Sequence, residues 1–170
     1  MKYILLLRHA KSSWKDVSLS DHDRPLNNRG KRTAPIMGQR LAKKEHQPQH
    51  IISSTAKRAL DTTYIVSNQI MFNIDNIEAS CDLFHSWPYD ICKVISQCDE
   101  SINRLMVVGH NPGVTMLANQ LLKSNRFDNI PTAGLVTLSI DINRWQEILK
   151  PENNACRLVD YDYPKLNSNA

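Results

Sequence analysis

The apolar positions of this chain fall into short unbroken runs, each followed by a segment with helical spacing. Residues 3–7 (YILLL) and 105–109 (LMVVG) are continuous apolar runs, and residues 50–54 (HIISS) form a shorter one. Runs of this length read as strands covered on both faces, the habit of parallel sheets. After the second run, TAKRALDTTYIVSNQIM places Ala59, Leu60, Thr63, Ile65, Val66 and Ile70 roughly on one helical face, and after the third, NPGVTMLANQLL reads as a helix. The first run is followed by a polar, turn-rich stretch over 11–30. PLNNRG then precedes a helix bearing Ile36, Met37, Leu41 and Ala42, in which Pro35 is expected only in the first turn.

Between the second and third of these units, the pattern predicts a weaker strand near 77–79. An amphipathic helix follows from 88 to about 97, with Ile91, Val94 and Ile95 turned inward. The last third, with LVTLSI at 135–140, RWQEI at 144–148 and CRLVDY at 156–161, reads as edge strands joined by a hairpin-like connection, which need not be parallel. Strands alternating with helices predict an α/β protein, a three-layer α/β/α arrangement on a mainly parallel central sheet. No repeat, low-complexity linker or composition shift divides the chain, so a single domain over 1–170 is expected.

Composition narrows the function classes without choosing one. The 170 residues are 41% hydrophobic and 22% charged, ordinary values for a soluble globular protein. The net charge of +4 is scattered and lacks an aromatic-interleaved basic patch, so no nucleic-acid partner is expected, only a mild preference for anions. Cys81, Cys92, Cys98 and Cys156 have neither CxxC nor zinc-finger spacing and read as free thiols. The apolar stretch at the start stops at Arg8, too short for a signal peptide, and no segment reaches membrane-spanning length; a cytoplasmic monomer without membrane contact is the expectation. Nothing predicts a metal site, a nucleotide loop or any cofactor.

The chemistry lies at the strand ends. The first strand runs into Arg8-His9-Ala10, the second into Ser54-Thr55-Ala56-Lys57-Arg58-Ala59, and the third into Gly109-His110-Asn111-Pro112-Gly113. Each alone has an ordinary reading as a solvated flank, a helix-start arginine or a turn histidine. In parallel α/β sheets, however, ligands bind beyond the carboxyl ends of the strands. If these strands are neighbours, Arg8, His9, Arg58 and His110 meet on one rim. A phosphoryl group in transfer carries charge on three oxygens, and arginine's planar fork suits them. His9 could attack phosphorus through Nε2 if a backbone carbonyl holds its Nδ1 proton, and nearby guanidinium groups should keep it neutral. His110, just before a helix, could donate to the same phosphate.

These motifs resemble the histidine phosphatase superfamily, the phosphoglycerate-mutase-like branch 1. Arg8-His9-Ala10 stands for the family's Arg-His-Gly signature, Ser54 to Ala59 for its Ser-x-x-x-Arg-Ala element and Gly109-His110 for its Gly/Ser-His motif. Within it, DRPLNNRG at 23–30, HAKSSW and GHNPG are similar to the SixA-type phosphohistidine phosphatases and their relatives. The resemblance implies a phosphoglycerate-mutase-like fold, His9 as nucleophile, and Arg8, Arg58 and His110 as phosphoryl ligands. Ser12 and Arg24 are further candidates for the phosphate pocket, Arg24 alternatively pairing with Asp21 or Asp23.

The family's acidic proton donor has no clean match. The region IEASCDLFHSWP, starting at the weaker strand near 77–79, offers Glu78, Asp82 and His85, with Asp82 the first choice. Ala10 departs from the usual glycine, which an ordinary backbone conformation would permit. A short interval between the second helix and residue 105 leaves no room for a lid, so a shallow, basic, open pocket is expected. Such a pocket suits a phosphohistidine carried on a protein better than a small metabolite. The alternatives are a general phosphomonoesterase of the same fold and a phosphate-binding module without turnover.

Overall fold

The computed structural model describes residues 1–166. Its centre is a six-stranded sheet made of β1 (Lys2–Arg8), β2 (His50–Ser54), β3 (Ile77–Ser80), β4 (Arg104–Gly109), β5 (Leu135–Ile140) and β6 (Cys156–Asp162), in the order β3-β2-β4-β1-β5-β6. Strands β1 to β4 run parallel, while β5 pairs antiparallel to β1 and β6 antiparallel to β5. β4 therefore lies between β2 and β1, and the three strands that end in candidate chemistry are adjacent.

Alternation within the central strands sorts the core into two layers. Ile4, Leu6, Leu105 and Val107 pack on one face with Ile91, Ile95, Leu117 and Leu121, from α3 (Pro88–Ile95) and α4 (Gly113–Leu122). Leu5, Leu7, Met106 and Val108 pack on the other with Ala34, Met37, Ala59 and Val66, from α1 (Asn28–Leu41) and α2 (Lys57–Gln69). Both sheet faces are covered, which is why β1 and β4 read as unbroken apolar runs.

Two local expectations need correction. Pro35 is the eighth residue of α1 rather than part of its first turn, because Asn27 starts the helix early: its Oδ1 accepts from the Gly30 N–H at 2.9 Å. The N–H that Pro35 lacks would have met the carbonyl of the exposed Lys31, where water can serve instead. Residues 144–148 are not a strand. They belong to a 3-10 turn, Trp145–Leu149, whose buried Trp145 and Ile148 are three apart and share a face at that helical period. Trp145 is fixed by its Nε1, which donates to the Ile102 carbonyl at 3.0 Å.

Gly30 and Gly113 bring site-bearing loops close to helix starts. A Cβ on Gly30 would overlap the Lys11 carbonyl, and one on Gly113 would overlap the Ser86 carbonyl. These contacts hold the segments over 11–27 and 84–87 against α1 and α4.

Candidate active site

Arg8, His9, Arg58 and His110 all line one cleft of about 330 Å³ at the carboxyl edge of the sheet. β1 ends at Arg8, Arg58 is the second residue of α2 directly after β2, and His110 follows β4. The register that pairs Arg8 with Gly109 sets His9 beside His110, with ring centroids 4.9 Å apart. Asp21, His85, Ser86, Trp87, Asn111 and Pro112 complete the lining.

His9 is 8% exposed. Its Nδ1–H donates to the Ala10 carbonyl at 2.7 Å, so the Nε2 lone pair faces Arg58, whose Nε lies 3.4 Å away. Burial pushes the imidazole's pKa down to about 4. The Ala10 carbonyl opposes this shift, while the charges on Arg58, Arg8 and Arg24 add to it. Sequence reasoning credited the guanidinium groups with keeping His9 neutral; desolvation is the larger cause. Ala10 lies at negative φ and is fully buried, and its N–H donates to Thr62 Oγ1 at 2.9 Å. Thr62 in turn donates to the Arg58 carbonyl at 2.7 Å, tying the nucleophile's neighbour to the arginine's helix.

His110 is fixed from the second strand. Ser54 Oγ accepts from the Ala56 N–H at 3.3 Å and lies 2.8 Å from His110 Nε2, so its hydroxyl proton is free to donate to that nitrogen. With Ser54 donating, the proton of neutral His110 sits on Nδ1, a buried atom with no partner among the described residues. Burial first, then the charges of His9, Arg58 and His85, lower its pKa to about 3 against the opposing pull of Asp21. Arg8 Nη1 donates to the Ile130 carbonyl at 2.7 Å and to Asn129 Oδ1 at 3.2 Å, while its buried Nε has no partner among the described residues. Two orphaned polar atoms, one on Arg8 and one on His110, are a feature that an oxyanion would resolve.

Asp21 organises the cationic side of the cleft. Its Oδ2 accepts from Arg58 Nη2 and His85 Nε2, each at 3.0 Å, and its Oδ1 accepts from Arg24 Nη1 at 2.6 Å. Its backbone carbonyl also accepts from Arg58 Nη1. Burial alone would raise its pKa, but the hydrogen bonds from His85 and Arg58 and the Arg58 charge outweigh it, holding the carboxyl well below the usual range. The lining thus carries two guanidinium groups, on Arg8 and Arg58, against the one ionised carboxylate of Asp21, itself paired with Arg24 behind the cleft, which leaves the cleft electropositive. Phe84 backs the cluster edge-on, with ring centroids 4.1 Å from His85, 5.0 Å from His22 and 5.6 Å from His110.

Other expectations fall differently. Asp82, the first choice for a proton donor, does not line the cleft. It sits in the 3-10 turn Cys81–Leu83 and opens into a separate neighbouring hollow. Glu78 is turned toward His50, 3.5 Å away. Of the three candidates only His85 reaches the cleft, and the turn that brings it there has φ 55° at His85 itself. Ser12 and Arg24 do not line the cleft either. They spend their donors and acceptors on each other at 2.6 Å, on the Ser13 carbonyl and on Asp21, with Trp14 stacked on the guanidinium.

The pocket is also less shallow than expected. Its floor is buried at His9, Arg58 and His110, while its mouth is open where His85 and Trp87 are 66% and 58% exposed. Asp21 was named by sequence reasoning only as an alternative partner of Arg24. Thr62 and Trp87 carried no signal beyond position, one a helical neighbour of the apolar-face Thr63 and the other an aromatic just before a helix start.

An imidazole with a free nitrogen, set among arginines at the carboxyl edge of a doubly covered sheet, defines an α/β protein equipped to hold and transfer a phosphoryl group. The family model described as "Histidine phosphatase superfamily (branch 1)" matches residues 4–79, from β1 through most of β3. An uncharacterised chloroplastic protein of Arabidopsis thaliana is 33% identical over 157 residues, which cover 85% of this chain and 69% of that protein. The chain belongs to the histidine phosphatase superfamily, branch 1. The crystal structure of a protein assigned as the phosphohistidine phosphatase SixA from Agrobacterium tumefaciens superposes with a TM-score of 0.80 at 26% identity, covering 96% of this chain and 98% of that one. A shorter stretch of 69 residues is 41% identical to the serine/threonine-protein phosphatase PGAM5, mitochondrial, of Xenopus laevis, covering 41% of this chain and 24% of that protein. These likenesses support phosphatase activity.

Proposed function

We propose that the protein hydrolyses phosphohistidine, carried on a protein, through a covalent phosphohistidine at His9 and without a metal. The observation that carries this reading is the state of His9: Nδ1–H held by the Ala10 carbonyl, Nε2 unprotonated, and pKa lowered to about 4. At neutral pH the nucleophile needs no general base to free its lone pair. Arg8, Arg58 and His110 supply donors around the phosphoryl oxygens, where charge must be balanced during transfer.

In the first step the His9 Nε2 lone pair forms a bond to phosphorus while the P–N bond to the substrate imidazole breaks. Its electron pair stays on the leaving nitrogen, which takes up a proton. His85, at the open side of the cleft, is the protein group placed to supply that proton. In the second step a water oxygen attacks phosphorus, the P–Nε2 bond breaks, and inorganic phosphate leaves with neutral His9 restored. Ser12 and Arg24 act indirectly, by holding Asp21 and through it Arg58.

The local likeness to a serine/threonine-protein phosphatase favours a second reading, in which phosphate esters are the substrates. One experiment separates the readings. The protein is mixed with a phosphohistidine peptide or a phosphoserine peptide, in the presence and absence of EDTA, quenched in alkali, and mapped for acid-labile phosphate by mass spectrometry. Phosphate on His9 that turns over with the phosphohistidine peptide, is unaffected by EDTA and is lost in His9→Ala is the expected result. Faster labelling from phosphoserine would support the ester reading, and no label from either would leave a phosphate-binding module.

A further inference from the structure

An in-line displacement puts the leaving group opposite the attacking nitrogen. His9 lies on the buried floor of the cleft, so whatever carried the phosphate must lie toward the mouth. There the lining changes character. The floor presents guanidinium and imidazole groups, whereas the mouth presents Trp87, the one large apolar ring among the described lining residues, beside His85. Trp87 is 58% exposed, and its indole has no stacked ring and no side-chain hydrogen bond among the described residues.

Its backbone is nevertheless fixed. The Trp87 N–H donates to Asp90 Oδ2 at 2.8 Å, its carbonyl accepts from the Ile91 N–H at 3.1 Å, and Pro88 begins α3 directly after it. The neighbouring Ser86 carbonyl is pressed against Gly113 at the start of α4. A large aromatic surface is thus exposed on a rigid support at the point where the departing group must pass. Neither core packing nor helix capping uses the indole.

We propose that Trp87 is the leaving-group platform of this site: its indole receives the flat ring of a phosphorylated imidazole and so selects planar heteroaromatic leaving groups over small or alkyl ones. The proposal rests on the covalent His9 reading above and deepens it. Aromatic pairs of this kind prefer offset or edge-on contact and add affinity beyond the area they bury. The phosphoryl ligands on the floor are blind to what the phosphate is attached to, so discrimination has to come from the mouth.

The test compares N-phosphoryl imidazole with phosphoramidate, two compounds with the same P–N bond of which only the first has a ring. kcat/KM is the right measure because it reports events up to phosphoryl transfer and excludes hydrolysis of the shared phosphoenzyme. Trp87→Ala is expected to lower kcat/KM for N-phosphoryl imidazole about tenfold and leave that for phosphoramidate unchanged, while Trp87→Phe retains most of the wild-type value. The capping hydrogen bond uses the backbone N–H, so the alanine variant keeps the helix start, and equal activity on phosphoramidate verifies that the floor is intact. An equal loss on both compounds, or no change on either, overturns the platform alone. A wild-type protein that transfers phosphate from neither compound to His9 overturns the covalent reading and the platform with it.

Discussion

The most heavily committed side chain in the cleft is a carboxylate. Asp21 accepts from Arg58, Arg24 and His85 at once, and Arg58 in turn aims its Nε at His9. An anion placed beside a phosphate pocket repels the ligand, yet here it fixes the fork that would bind it, and Arg24 offsets its charge. The two buried histidines complete the picture at this scale. Each is neutral, and each is held by one identifiable partner: the Ala10 carbonyl, which fixes the His9 tautomer, and the Ser54 hydroxyl, which by donating would put the His110 proton on Nδ1. Nitrogen-15 NMR is expected to show both rings with the proton on Nδ1 and neither titrating between pH 8 and 5. A midpoint near 6.5 at His9 would contradict its burial. Arg8, His9, Arg58 and His110 were legible because their strand-end positions repeat three times in the sequence. Asp21 was not, since nothing in a polar, turn-rich loop marks which of Asp21 and Asp23 folds inward.

Among the elements, the start of α2 does more than carry Arg58. Thr62, one turn further on, accepts the Ala10 N–H and donates to the Arg58 carbonyl, so one hydroxyl joins the end of β1 to the phosphate-facing end of the helix. Thr62→Val keeps the shape and leaves a buried N–H unpaired, for a loss of about 1–3 kcal/mol in urea unfolding. kcat/KM should fall as well, because the residue after the nucleophile loses its anchor; unchanged stability would show that Ala10 finds another acceptor. Helix and strand types were readable where apolar spacing was regular, as in β1, β4, α2 and α4. They were misread where one buried residue dominates: RWQEI looks extended until Trp145 and Ile148 are seen to share a face three residues apart. Pro35 misled for a different reason, since the true start of α1 depends on Asn27, whose capping role is a local hydrogen bond rather than a periodicity.

Over the whole molecule, the neutral histidines tie stability to pH. The folded-state pKa values of His9 and His110, about 4 and about 3, lie below the ordinary 6.5, so below that pH the unfolded chain binds protons that the folded one does not. Their contribution is complete above pH 6.5 and is lost on acidification, by about 2 kcal/mol between pH 6.5 and 5.5 for the pair. Asp21, depressed below 3.8, adds a further loss of the same sign near and below pH 4. Urea titrations at pH 7, 6 and 5 should show this slope, flattened in a His9→Asn variant; a flat wild-type profile would contradict the buried, neutral state of both rings. The parallel sheet and its two covered faces followed from the alternation of apolar runs and helices. The order of strands did not, because adjacency of β4 to both β1 and β2 is set by long-range packing that leaves no local mark. That order also bears on synthesis. β1 is made first, but its neighbours β4 and β5 come from far downstream, so loop closure delays its pairing. His9 therefore leaves the ribosome as an exposed, ordinary imidazole and takes on its buried, neutral state only after residues through β5 have emerged to enclose the strand that carries it.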